Sequence, residues 1–310
     1  MTNTDLMQPS AHQQLVAGWV EWMGKKIKAG DMSADTSKAY QIGLNRFAEF
    51  VQFAPRINAV VVQEFVDAVK QTHSVATVGL WLSGVKSLYR WAVMYEHMPR
   101  NPAEGVSAGK RENANKAHTR EPISDDEALR LLGLELHPRD ATIIALMLYC
   151  AMRGVAIRRA NYQDLATKGG KRILYTQEKG RRTKEEYKVI PRPALLKLNA
   201  WLKVRGDHKG PLFESMSRRS KGKRLAASSL REIVGAAFDK AQIGGREGTA
   251  AGKSHRLRHT AITTLLKSGG SLRQAQNLAG HSDLKTTTIY AHEIDRTANA
   301  PEDLIDYGEG

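Results

Sequence analysis

In the N-terminal third of the chain, apolar residues recur at three- and four-residue steps, and Tyr40, Leu44, Phe47 and Val51 mark one such stripe. That period lines apolar side chains along one face of an α-helix. Residues 11–29, 34–53, 58–71 and 75–97 each carry it, which predicts amphipathic helices packed as a small bundle. The last of these, with Leu80, Val85, Leu88, Trp91 and Ala92, has to end before Pro99 and Asn101-Pro102. There the ring and the missing N–H oppose a further turn.

The pattern then changes. Residues 107–120 (SAGKRENANKAHTR) show no period and hold Lys110, Arg111, Lys116 and Arg120 against Glu112 alone, as an exposed basic linker would. Ser124-Asp125-Asp126-Glu127 has the form of a capping box opening a helix over 124–133. An apolar run over 141–152 leads into Arg153, and residues 172–178 and 186–190 alternate as two short strands around a basic turn. Helices are expected over 193–204, 227–241, 254–268, 271–279 and 283–293, with Gly269-Gly270 and Gly280 separating the last three. The fold class is therefore mainly α with a small β-sheet in the C-terminal domain, an N-terminal helical bundle followed by an α+β domain. The expected division is 1–105, a linker over 106–121, a second domain over 122–297, and a tail over 298–310.

Composition narrows the partner. The 310 residues are 41 % hydrophobic and 25 % charged, as in a globular chain. Lys plus Arg outnumber Asp plus Glu by 47 to 32, a net charge of +15 that suits a polyanion, nucleic acid first. No apolar run approaches the roughly 20 residues that span a bilayer. The opening MTNTDLMQPSAHQQ lacks a basic region followed by an apolar one, so a cytoplasmic protein is expected. The single cysteine, Cys150, excludes an intrachain disulfide and a cysteine-cluster metal site, and its apolar setting marks a core thiol.

The densest chemical signal is HRLRHTAITTLLKSGGSLRQAQNLAGHSDLKTTTIYAH, residues 255–292. On a helix, His255 and Arg258 share a face while Leu257, Ala261, Leu265 and Leu266 are free to pack the other side. His281 follows Gly280 at a junction between helices, and Tyr290 lies nine residues on. Taken singly, each has a bland explanation: a surface histidine beside a surface arginine, a packing tyrosine. Together they resemble the C-terminal signature of the tyrosine recombinase (phage integrase) family, a histidine, two residues, an arginine, then a Gly-His pair and a tyrosine. The resemblance extends to Arg153 in LYCAMRGVAI, at the place of the family's first active-site arginine. It also covers the hairpin YTQEKGRRTKEEYKVIP, where the family carries a catalytic lysine on the turn. Lys179, beside Gly180, matches that lysine best, and Lys184 is its competitor. The stretch TVGLWLSGVKSLYRWAVMYEHMPRNPAEGV is similar to the last helix of the family's core-binding domain, so that the likeness covers about residues 10–295. Two positions depart from it. Ala156 stands where the family often has an acid, three residues after the first arginine, and Ala279 stands where Leu or Ile usually precedes the Gly-His pair.

The resemblance implies a site-specific DNA recombinase in which Tyr290 attacks a phosphodiester to give a 3′-phosphotyrosine and a free 5′-hydroxyl. Two guanidiniums grip nonbridging phosphate oxygens in a way lysine cannot, the role of Arg153 and Arg258, with His281 adding a hydrogen bond. A tyrosine with a reference pKa of about 10 needs help to lose its proton, for which His255 is the candidate base. The departing 5′-oxygen needs a proton, for which Lys179 is the candidate acid. No cofactor or metal is expected: the chain has no Walker glycine loop, and His255 and His259, though four apart, lack a third ligand. The family works on double-stranded DNA as a homo-tetramer spanning two sites, in some cases with an accessory or partner recombinase. The tail 298–310, with Leu304, Ile305 and Tyr307 among acids, is suited to docking on a neighbouring subunit. Little precedes the first helix, so a two-domain protein of the Xer or Cre kind is expected rather than an integrase with an added arm-binding domain. Two competing readings are a type IB topoisomerase, which rejoins the same strand, and a DNA-binding protein that keeps the scaffold without catalysis.

Overall fold

The computed structural model describes residues 9–54, 56–109, 122–178, 183–244, 250–280 and 287–288. The chain divides into two compact units, Met1–Lys116 and Ala117–Gly310.

The first unit is a helical bundle of α1 (Pro9–Lys28), α2 (Ala34–Val51), α3 (Ala59–Lys70) and α4 (Val75–Met94). Ser33, Asn58 and Ser74 start the last three of these, each side chain accepting a hydrogen bond from a backbone N–H of the first turn. The predicted stripe is the buried one: Leu44, Phe47 and Val51 pack with Trp19, Phe65, Leu88 and Tyr89. Phe47 meets Phe65 and Tyr89 edge-on, with ring centroids 5.1 and 6.3 Å apart. Helices α2 and α4 approach closely enough that a Cβ on Gly43 would fall 2.6 Å from the Trp81 backbone. Helix α4 stops at Met94, short of the expected 97. Glu96 adopts a left-handed φ of 59° and the His97 N–H turns back to the Ala92 carbonyl at 2.8 Å.

The second unit contains α5 (Asp125–Gly133), α6 (Pro138–Cys150), α7 (Gly154–Arg159), β1 (Leu165–Lys168), β2 (Lys171–Thr176), β3 (Glu186–Val189), α8 (Arg192–Arg205), α9 (Ala227–Lys240), α10 (Ala250–Lys267) and α11 (Leu272–Ala279). The Ser124–Glu127 capping box is present with both of its hydrogen bonds. Helix α6 is the centre of the core, with Ile143, Ile144, Ala145, Leu146 and Met147 all buried. One expectation is corrected: the sheet has three antiparallel strands in the order β1-β2-β3, not two. The overlooked β1 is joined to β2 by Gly169-Gly170, whose φ values of 55° and 71° give the two-residue turn that fits the twist of a hairpin. A second correction concerns β2, which ends at Thr176 instead of 178, so Gln177 and Glu178 have left the strand before the basic turn. The six-residue α7 is also additional to the expected elements. The helix expected over 283–293 falls outside the described residues except at Thr287 and Thr288, which are helical.

Candidate active site

Arg153 owes its position to a reversal of the chain. Helix α6 ends in Ala151, a fully buried residue at φ 50°, and two residues later Arg153 caps α7 in an extended conformation. Its Nη1 donates to Glu178 Oε2 at 2.7 Å and to the Ala279 carbonyl at 3.4 Å. The Arg153 side chain keeps 25 % of its surface open while that of Glu178 keeps 4 %. Its Nη2 and Nε make no hydrogen bond to the described residues, which leaves the outward edge of the fork available to an anion.

Arg258 comes from the middle of α10 and is buried. Its Nη1 donates to the Ala151 carbonyl at 2.5 Å and its Nη2 to the Ala279 carbonyl. The two arginines, distant in sequence, thus share Ala279 O, the last carbonyl of α11. Lys188, on the buried face of β3, donates to Leu278 O at 2.6 Å and Asn277 O at 3.4 Å. The final carbonyls of a helix have no intrahelical donor and carry the negative end of its dipole, which favours cations there. Burial holds the Lys188 ammonium below the usual lysine range; Glu178 and Glu186 oppose that shift and Arg258 adds to it. Gly280 then turns the chain at φ 60° and ψ 45°, a left-handed step that glycine takes without steric cost, toward His281.

His255 lies one turn before Arg258 on α10 and is exposed. Elsewhere on that helix Leu257, Ala261, Ile262 and Leu266 are buried. Lys184, the competing hairpin lysine, is engaged elsewhere: its Nζ pairs with Asp164 and donates to the Arg159 carbonyl at 3.0 Å. Lys179, His281 and Tyr290 lie outside the described residues. Cys150 is buried, its thiol pushed up to about 12 by burial. Among the described residues there is no group of His, Cys, Asp and Glu able to hold a metal ion, and no helix is long and apolar enough to cross a membrane.

Sequence reasoning missed Glu178 and Lys188. Glu178 falls at the end of the strand expected over 172–178, where nothing in the sequence marks it as a partner for an arginine. Lys188 left no signal, because the alternation Glu186-Tyr187-Lys188-Val189 points Tyr187 and Val189 inward by its apolar positions, whereas in β3 Lys188 is buried and those two are exposed. The described side chains thus gather two guanidiniums and one ammonium around the last carbonyls of α11, with His255 one helical turn from Arg258.

Comparison with known proteins identifies the family. The model of the phage integrase family matches residues 123–296, and that of the phage integrase N-terminal SAM-like domain matches residues 14–95. Tyrosine recombinase XerC of Shigella flexneri serotype 5b (strain 8401) is 30 % identical over 243 residues, 76 % of this chain and 76 % of that protein. XerC of Salmonella typhi is 30 % identical over 226 residues, covering 70 % of this chain and 69 % of its own. Among solved structures, the XerH site-specific recombinase bound to palindromic difH substrate in a post-cleavage complex aligns with a TM-score of 0.68 at 18 % identity, over 98 % of this chain and 92 % of that one. A lambda integrase dimer bound to a COC′ core site aligns at 0.64 and 15 % identity, over 87 % and 96 %. At those identities the structural likeness is one of fold.

Proposed function

The chain belongs to the phage integrase family of tyrosine recombinases, and from that premise we propose that it cuts and rejoins double-stranded DNA at defined sites with Tyr290 as nucleophile. The observation that carries this reading is the convergence of Arg153 and Arg258 on the Ala279 carbonyl, immediately before Gly280-His281. Arg153 and Arg258 clamp the nonbridging oxygens of the target phosphate, where negative charge grows as phosphorus becomes five-coordinate, and His281 donates a further hydrogen bond. His255 takes the proton of the Tyr290 hydroxyl. The phenolic oxygen bonds to phosphorus, the bond to the 5′-oxygen breaks, and Lys179 supplies the proton that the departing oxygen requires. The products are a 3′-phosphotyrosine and a free 5′-hydroxyl, which attacks the phosphotyrosine of a partner strand. One phosphodiester is exchanged for another, so the balance needs no nucleotide and no metal.

The engagement of Lys184 by Asp164 supports Lys179 as the general acid, since a lysine already paired has to break that pair to reach a leaving group. Strand exchange between two duplexes implies a homo-tetramer, with residues 298–310 as the docking segment and an accessory or partner recombinase as a further participant. Residues 1–105 and the basic linker 106–121 serve DNA binding together with the catalytic domain 122–297, in the cytoplasm, as part of integration, excision or resolution by a mobile element. Topoisomerase-like relaxation is the second reading within the same chemistry.

The experiment is incubation in EDTA with a nicked suicide duplex and denaturing gel analysis. Wild type is expected to form a covalent protein–DNA adduct and Tyr290→Phe none. Specific binding without an adduct in wild type would favour a non-catalytic DNA-binding protein on the same scaffold.

A further inference from the structure

A carboxylate is missing from the active-site region and another stands in reach of the arginine it would serve. Ala156, three residues after Arg153, is fully buried and offers Arg153 nothing polar. Arg153 instead donates to Glu178 at 2.7 Å, from the segment that follows β2. Glu178 is held there twice over, because its backbone carbonyl accepts from Arg159 Nη1 at 3.3 Å at the far end of α7. Its second oxygen, Oε1, is buried and makes no hydrogen bond among the described residues. A buried carboxylate with one oxygen unused is expensive unless a nearby cation holds it, and here Arg153 and Lys188 share that task.

We infer that Glu178 is the positioning residue for Arg153, supplying from the segment after β2 the carboxylate that α7 lacks. The same carboxylate borders the turn to His281: a Cβ on Gly280 would lie 3.9 Å from Glu178 Cγ and 3.3 Å from Glu186 Oε2. Removal of the negative charge lets the Arg153 fork turn. Glu178 touches neither phosphate nor leaving group in this account. Its effect passes through Arg153, and the inference rests on the role of Arg153 proposed above.

The test is a double-mutant cycle on the rate of covalent adduct formation, with DNA affinity and thermal midpoint measured alongside. Glu178→Gln, of the same shape without the charge, is expected to slow adduct formation roughly ten- to a hundredfold, the loss of one charge-assisted contact. Affinity for the duplex should stay within about threefold of wild type, and Glu178→Asp should recover part of the rate. In an Arg153→Lys background, which is slow in its own right, Glu178→Gln should add less than about twofold, because the arm it acts through is gone. A wild-type rate for Glu178→Gln, or a full multiplicative loss on top of Arg153→Lys, overturns the inference and leaves the role of Arg153 standing. A wild-type rate for Arg153→Lys overturns the reading of Arg153 itself. Where Glu178→Gln does not fold, the same cycle is run with Glu178→Asp, whose shorter arm should slow the wild type and be silent beside Arg153→Lys; additive losses again refute it.

Discussion

Arg153 and Arg258 donate to one atom, the Ala279 carbonyl oxygen, although they stand 105 positions apart in the chain (258 − 153). A shared acceptor makes a clamp of the two guanidiniums, and a clamp fails as a unit. Arg153→Ala and Arg258→Ala are each expected to slow adduct formation by about a hundred- to a thousandfold. The double variant should be far less impaired than the product of the two, as groups acting together are non-additive. Single-turnover cleavage of a suicide duplex measures all three, and a strictly multiplicative double variant would show that the arginines act independently.

Gly280 stands at φ 60° between the helix that the cations hold and His281. An alanine there meets the left-handed backbone penalty of about 1–2 kcal/mol, and its Cβ crowds Glu186. Gly280→Ala should lower the thermal midpoint by about 3–6 °C. Adduct formation should fall by at least about tenfold, since small misplacements of a catalytic group have large effects on rate. Scanning calorimetry and the adduct assay together separate the two, and an unchanged cleavage rate would show that His281 tolerates a shifted turn.

The hairpin lysines should part company. Lys179→Ala is expected to slow cleavage by about a hundredfold without loss of stability. A substrate whose 5′-bridging oxygen is replaced by sulfur should restore the rate, because a thiolate leaves without a proton. Lys184→Met should do the reverse: with the largely buried Asp164 carboxylate left without its cation, the melting temperature drops, while the rate per folded molecule holds within a few-fold. Rescue of Lys184→Met by the sulfur substrate, and not of Lys179→Ala, would exchange their roles.

Cys150 makes stability depend on alkaline pH. The folded protein keeps this thiol protonated to about 12, while in the unfolded chain it ionises near 8.5. Its contribution to stability is therefore constant below about pH 8.5 and is lost progressively as pH rises through that interval, on the order of 2 kcal/mol by pH 10. Lys188, whose folded pKa is lowered, acts in the opposite direction as pH approaches the ordinary lysine range. The comparison is accordingly made between wild type and Cys150→Ala: urea unfolding at pH 8 and pH 10 should give the variant the smaller loss. A maleimide should label wild type at pH 8 only in urea, and rapid labelling of the native protein would contradict the buried thiol.

Much of this protein is legible in its sequence because the physical rules involved are local. Three- and four-residue periodicity placed α1 to α4 to within a few residues, and Ser124 with Glu127 marked the start of α5. His255 and Arg258, three apart, had to share a helical face, and in order with Arg153, Lys179, Gly280-His281 and Tyr290 they were enough to point to the family. Even the overlooked β1 had its local sign in Gly169-Gly170. What no local rule contains is which cation meets which carbonyl. That Arg153 and Arg258 converge on Ala279, that Lys188 turns inward to Leu278, that Lys184 is taken by Asp164, and that Glu178 answers Arg153 where Ala156 cannot, are outcomes of packing α6, α7, the sheet, α10 and α11 around one end of a helix. The reason is physical: a buried charge takes its partner from whatever the core brings within about 3 Å, and that distance is set by the tertiary fold and not by separation along the chain.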